Sequence, residues 1–289
     1  MAILAQTLAL LAMAMATTGI EAVTLDTAQD SFDDQCQGCG TNMTEALPFL
    51  NHSDFEQNPL FAQAWTKARA EWQSRGSRVS PLSSPAQAIA LMAYTMKELE
   101  LYKKFNDAVR AAGRSSQEYQ DNFHFKTLHF LLTQALDTLR QAQKGQCHNV
   151  YRGVSKYRLK AKPGDIVRFG QFSSASKSEI TAKGFGSAMA FHVHTCHGVG
   201  IQQFSNYPDE KEVLISPFET FEVVEVSQEG ERARIQLRST GTFSKYNCEW
   251  LKDDATGNSL GGWGHPLAPF HLGGLLLATT TLAVATGIL

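Results

Sequence analysis

Phe61, Trp65, Ala68 and Trp72 fall at alternating four- and three-residue steps, which places their apolar side chains on one side of a helix, and this spacing predicts an amphipathic helix over residues 55–72. Leu128, Leu132, Ala135 and Leu139 repeat the pattern, and residues 86–94 and 105–109 keep helical spacing. Gly76-Ser77-Arg78 and Pro81-Leu82-Ser83-Ser84-Pro85 interrupt it as loops. After Gly145 the period changes to two. Residues 149–152, 166–169, 189–196, 199–204, 212–215, 221–226 and 233–237 read as short strands separated by Gly, Pro, Ser and Asp. The layout is α+β, an N-terminal helical region followed by a mainly β core. A doubly wound nucleotide-binding fold is disfavoured, because strands and helices do not alternate and no glycine-rich strand-to-helix fingerprint is present.

Both ends of the chain read as processing signals. Residues 1–22 are rich in Ala, Leu and Met with no charge before Glu21, as in the apolar part of a secretory signal peptide, and cleavage is expected near Gly19 or Ala22. Residues 267–289 form a hydrophobic tail, uncharged from Leu272 to Leu289, and follow a linker, residues 251–266, that holds the small residues Ala255, Thr256, Gly257, Asn258 and Ser259. That order fits a cleaved glycosylphosphatidylinositol attachment signal better than a spanning helix, since no Lys or Arg follows the tail. The remainder is enough chain for a helical subdomain, residues 23–145, and a β-rich core, residues 146–250, sharing one interior.

A formal net charge of -2 with dispersed charges offers no polybasic surface, so nucleic acid is excluded as a partner. In a secreted chain the five cysteines, Cys36, Cys39, Cys147, Cys196 and Cys248, default to disulfides, but several pairings are open to sequence reasoning. Asn42-Met43-Thr44 and Asn51-His52-Ser53 are glycosylation acceptors whose polar surroundings predict exposed loops.

The chemistry starts at Glu210-Lys211-Glu212, which runs into Val213-Leu214-Ile215. Residues two apart in an extended strand share a face. Both carboxylates are therefore expected at one strand entrance, one steadying a developing positive charge and the other positioning or deprotonating a nucleophile. Acids two apart are also common on solvated strand edges. The chemical reading gains weight from Val150-Tyr151-Arg152-Gly153 and from Phe169-Gly170-Gln171-Phe172-Ser173-Ser174-Ala175-Ser176, each in a β-like segment with turn residues close by.

The ordered trio of Arg152 in Tyr-Arg-Gly, Ser174 in Phe-Ser-Ser and Glu212 in Glu-x-Glu-Val-Leu-Ile resembles the arginine-specific ecto-ADP-ribosyltransferases of vertebrate cell surfaces. Ser31-Phe32-Asp33-Asp34, Phe125-Lys126-Thr127-Leu128-His129-Phe130 and Tyr246-Asn247-Cys248 extend the resemblance over most of the chain. It implies a glycosylphosphatidylinositol-anchored enzyme at the outer cell surface that moves ADP-ribose from NAD, or NADP, to arginine side chains of extracellular or cell-surface proteins. Nicotinamide is released, NAD serves as co-substrate, and no cofactor is permanently bound.

By the same resemblance Glu212 holds the nicotinamide ribose and stabilises the oxocarbenium-like cation, Arg152 holds NAD through its planar donor fork, and Ser174 orients Glu212. Glu210 orients and deprotonates the acceptor guanidinium. Tyr94, Gln171 and Ser205 are further NAD contacts, and Phe185 stacks on nicotinamide. The resemblance also pairs Cys147 with Cys196 and Cys39 with Cys248, with Cys36 and Cys39 both within reach of Cys248. The alternatives are an NAD glycohydrolase, in which water takes the place of the guanidinium, and a catalytically silent surface glycoprotein on the same fold. A serine-hydrolase reading fails for want of a His and Asp in a nucleophile motif around Ser174. His192, His194 and Cys196 alternate along one strand with metal-ligand spacing, but a disulfide sulfur is not a thiolate, and no metal is expected.

Overall fold

The computed structural model describes residues 21–155, 157–186, 189–229 and 232–256. After a short strand β1 (Glu21–Thr24), six helices fill the first half: α1 (Gly40–Gln57), α2 (Pro59–Ser74), α3 (Pro85–Thr95), α4 (Leu101–Ala112), α5 (Ser116–Asn122) and α6 (Lys126–Ala142). The helix expected over residues 55–72 is divided between α1 and α2 at Asn58-Pro59. Pro59 has no N–H to continue α1 but fits the first turn of a new helix, and the Asn58 side chain caps that turn by accepting from the Phe61 N–H at 3.1 Å. Ser84 and Ser115 cap α3 and α5 in the same way.

α1 itself is a departure from the expected loops around the two glycosylation acceptors. Only Met43, Leu50 and Asp54 of α1 are buried, too sparse an apolar pattern to announce a helix, and Pro48 lies inside it. Asn42 is exposed and Asn51 half-buried on that helix. The expected leader and tail lie outside the described residues, except that Glu21 and Ala22 stand in β1 and Ala255 and Thr256 end the last helix. Among the described residues no helix is long and apolar enough to cross a membrane.

The second half contains β2 (His148–Val154), β3 (Tyr157–Lys160), β4 (Ile166–Arg168), β5 (Ser173–Ser176), α7 (Glu179–Gly184), β6 (Met189–Thr195), β7 (Val199–Gly200), β8 (Glu212–Ile215), β9 (Glu219–Glu229), β10 (Arg232–Thr242) and α8 (Glu249–Thr256). β1 pairs in parallel with β3, and the other strands form one sheet in the order β4-β9-β10-β6-β2-β5-β8-β7. Alternation along β6 buries Met189, Phe191, Val193 and Thr195. The strand expected over 199–204 ends at Gly200, where the chain turns so that the Phe204 and Ser205 N–H groups both donate to the Ile201 carbonyl.

Two apolar clusters result. One joins Phe61, Trp65, Phe105, Phe123 and Leu128 of the helical half to Phe172, Phe204 and Leu214 of the β half, and the other lies on the sheet around Val150, Phe191, Val213, Phe221 and Ile235. Ser31-Phe32-Asp33-Asp34 ties the start of the chain to its end. Asp33 pairs with Arg168 at 2.5 Å with both side chains buried, and its other oxygen accepts from the Lys245 and Tyr246 N–H groups. Asp34 accepts from the N–H groups of Cys36, Cys248 and Glu249. Disulfides join Cys39 to Cys248 and Cys147 to Cys196, and Cys36 is left as a buried free thiol.

Candidate active site

Three neighbouring strands gather residues that are far apart in the chain. β2 pairs with β5 at Tyr151 and Ser176, and β5 pairs with β8 so that Ser174 faces Leu214 and Ser176 faces Glu212. Arg152, Ser174 and Glu212 thus stand on adjacent strands. The Arg152 Nη1 donates to the Ser174 carbonyl at 2.5 Å. Burial pulls its guanidinium below the ordinary value, opposed by Tyr94 and Glu212, and it remains protonated at neutral pH.

Two glycines in these motifs are fixed by close approach. A Cβ on Gly153 would lie 2.4 Å from the Ala182 carbonyl of α7. Gly170 has φ +61°, and a Cβ there would lie 2.3 Å from the Ala28 side chain. Gly153 lets α7 lie against β2 beside Arg152, and Gly170 lets the chain turn into β5.

Glu212 is 7 % exposed. Its Oε2 accepts from the Ser205 hydroxyl at 3.2 Å. Burial raises its pKa, hydrogen bonds from Ser174 and Ser205 oppose the rise, the charge of Glu210 adds to it, and Lys97 counters it. Ser205 is held from the helical half. Arg75 donates to the Ser205 carbonyl at 3.0 Å and to that of Asn206 at 3.2 Å. Asn206 bonds the end of α3 through the Met92 carbonyl and the Thr95 hydroxyl. The loop that carries both acids is therefore docked on α2 and α3.

Glu210 differs from the strand geometry expected of it. It closes a 3-10 turn over Pro208–Glu210, Lys211 takes a left-handed conformation with φ 48°, and β8 begins only at Glu212. Pro208 favours the turn over the extended chain, so a turn rather than strand alternation sets the relation between the two acids. Ser176 pins the turn by donating to the Glu210 carbonyl at 2.7 Å. The Glu210 side chain is 23 % exposed and pairs with Lys97 at 2.5 Å. The Lys97 ammonium also lies 4.1 Å from the ring centre of Tyr207 and 5.1 Å from that of Phe185.

The remaining sequence-selected residues are spread around this centre. Phe185 follows α7 and is 45 % exposed. Gln171 is half-buried in the turn before β5. Tyr94 is buried in α3, its hydroxyl donating to the Phe172 carbonyl at 2.9 Å and pushed up to about 12 by burial, so it supports the start of β5 from beneath. Arg75, Lys97 and Tyr207 were not selected from the sequence. An isolated arginine or lysine in a loop carries no periodic or motif signal, and only the fold brings them to the site.

The donor atoms of Cys147, His194 and Cys196 lie within 4.8 Å of one another, but the two sulfurs are joined in the disulfide. His194 Nδ1 is 2.9 Å from the Asn149 side-chain oxygen, and His192 stacks on Tyr151.

A buried carboxylate held by the Ser205 hydroxyl, an arginine on the next-but-one strand and a second, solvent-reaching acid form a site suited to a developing sugar cation and a basic acceptor. The comparisons with known proteins agree with this chemistry. The model of the family NAD:arginine ADP-ribosyltransferase matches residues 25–245. The erythroblast NAD(P)(+)–arginine ADP-ribosyltransferase of Gallus gallus is 49 % identical over 236 residues, which cover 81 % of this chain and 78 % of that protein. The GPI-linked NAD(P)(+)–arginine ADP-ribosyltransferase 1 of Homo sapiens is 46 % identical, with 80 % and 75 % covered. The crystal structure of the eucaryotic mono-ADP-ribosyltransferase ART2.2 superposes with a TM-score of 0.68 at 37 % identity, over 78 % of this chain and 98 % of that one. A mutant of ART2.2 in complex with NAD gives 0.67 at 36 % identity, over the same shares. With a matching family model over most of its length and relatives of this identity, the chain belongs to the NAD:arginine ADP-ribosyltransferase family.

Proposed function

We propose that this protein transfers ADP-ribose from NAD to arginine side chains of extracellular or cell-surface proteins and releases nicotinamide. The observation that carries the reading is the division of labour between the two acids. Glu212 is buried and fixed by Ser205, whereas Glu210, two residues before it, reaches solvent and already holds a cation. The bond from C1′ of the ribose to the nicotinamide nitrogen breaks with its electron pair going to nicotinamide, which leaves neutral. Glu212 stabilises the cation left on the ribose, and Arg152 holds the NAD phosphates or ribose. Gln171 and Ser205 line the NAD contact, Tyr94 supports it from below, and Phe185 stacks on nicotinamide. A guanidinium nitrogen then bonds to C1′ and gives its proton to Glu210.

Glu210→Gln tests this assignment. Arginine modification is expected to fall by about 10²-fold while NAD cleavage to free ADP-ribose persists. Mass spectrometry of arginine peptides, read beside free ADP-ribose, gives the ratio. Equal loss of both products would place Glu210 in the cleavage step, and unchanged transfer would make it a solvated carboxylate.

The GPI-linked human relative and the uncharged stretch from Leu272 to Leu289 support attachment at the outer cell surface through a lipid anchor. Bacterial phosphatidylinositol-specific phospholipase is expected to release the protein from intact cells. Retention after treatment that frees a known anchored control would refute the anchor.

A further inference from the structure

Lys97 stands in the turn that follows α3, on the helical side of the site, yet its ammonium meets three groups of the β side at once. It lies 2.5 Å from Glu210 Oε1, 4.1 Å from the Tyr207 ring centre and 5.1 Å from the Phe185 ring centre. Glu210 and the two rings come from separate segments, the turn before β8 and the residue after α7, and a carboxylate flanked by two aromatic rings suits a cation where they converge. An ordinary surface ion pair is a poor account of this arrangement, because such pairs hold their partners weakly and need no aromatic walls.

Every contact that Lys97 makes is one that a guanidinium makes better. Its plane stacks on aromatic faces, its fork of donors matches a carboxylate in two places, and it is more weakly hydrated than an ammonium. Lys97 is also half-exposed, so leaving this position carries little desolvation cost.

We propose that Glu210 and Tyr207, joined by Phe185 once nicotinamide has left its face, form a cage for the acceptor guanidinium and that Lys97 is its intramolecular occupant, a built-in competitor that an arginine side chain displaces. The proposal rests on the transfer reading above. It adds that acceptor affinity is set by residue 97, which lies outside the Arg152, Ser174 and Glu212 trio, and that proteins presenting an arginine beside acidic groups are favoured, since the displaced Lys97 ammonium then finds a new partner at the rim.

The test compares the wild-type protein with Lys97→Ala and Lys97→Arg, using agmatine as a small guanidino acceptor at neutral pH. Lys97→Ala is expected to lower the KM for agmatine by about five-fold, the scale of one exposed ion pair with a cation–π contact, and to change kcat by less than about two-fold. Calorimetric titration of agmatine into the NAD-free protein is expected to show the same tightening. Lys97→Arg refills the cage with the better-matched cation and is expected to hold the KM for agmatine at the wild-type value or raise it, never to lower it, which separates an empty cage from a disturbed loop. Unchanged or weaker agmatine binding by Lys97→Ala would overturn the proposal, as would a fall in kcat, which would make Lys97 a positioning residue for Glu210. A fall in the KM for NAD with none for agmatine would overturn it too, since Lys97 would then obstruct the nucleotide. If the wild-type protein formed no arginine adduct, the transfer reading would fail, and the calorimetric comparison would still decide whether Lys97 competes for the cage.

Discussion

Glu212→Gln is expected to lower NAD cleavage and arginine modification together, by about 10³-fold in kcat, with the fold intact. The change is nearly isosteric and keeps an acceptor oxygen for the Ser205 hydroxyl that now bonds Oε2 at 3.2 Å. What it removes is the negative charge facing the ribose as positive charge develops there, an interaction made in the transition state and not in the ground state. The charge also dictates the pH behaviour. Burial raises the Glu212 pKa above its ordinary 4.5, and the active form is the carboxylate. NAD cleavage is therefore expected to rise with pH along an acid limb displaced above that ordinary value.

The stability consequence has the opposite sense. A carboxyl whose pKa is raised on folding contributes stability below its unfolded pKa and loses that contribution as pH rises through the folded value. At neutral pH the folded protein holds Glu212 ionised at a cost, so the glutamine variant is expected to melt at the same temperature or higher. Retention of most NAD cleavage in the purified variant would remove Glu212 from the chemistry. Loss of activity together with a lowered melting temperature would point to a structural role instead.

Asp33→Ala is expected to cost about 3–5 kcal/mol of folding stability. Arg168, now paired with Asp33 at 2.5 Å, would keep its charge in the interior. The Lys245 and Tyr246 N–H groups would lose their common acceptor as well. Arg168 also donates to the carbonyls of Thr27, Ala28 and Phe243, which hold it in place and prevent its escape to solvent. Denaturant titration reads the loss. Asp33→Asn, which retains an acceptor oxygen but not the charge, is expected to lose less, and Arg168→Met is expected to recover part of the loss in Asp33→Ala. A cost below about 1 kcal/mol would show that water reaches the pair.

Much of the helical half was legible in the chain because its signal is local. Phe61, Trp65 and Ala68, like Leu128, Leu132, Ala135 and Leu139, repeat at helical spacing and are buried in the helices they predict. α1 was illegible because three buried residues over its length leave no such period, and β1 because four residues paired with β3 are too few to show alternation. The three motifs were likewise legible as residue types in a fixed order. Arg152, Ser174 and Glu212 are fixed by the chemistry they carry, and Gly153 and Gly170 by contacts that leave no room for a Cβ.

Relations between distant residues belong to the tertiary structure alone. The sequence by itself determined an α+β chain, its helical periods and the acids, arginine and serine of the site. It aimed Glu210 and Glu212 to the same side at one strand entrance, whereas the 3-10 turn at Pro208 and the left-handed Lys211 set Glu210 apart. Only the fold brought Arg75 to the loop that holds Glu212 and Lys97 to the carboxylate of Glu210. Periodicity records what each residue meets among its near neighbours. A cation's partner across a cleft is set by how the helical half packs on the sheet through Phe172, Phe204 and Leu214, and no local pattern encodes that packing.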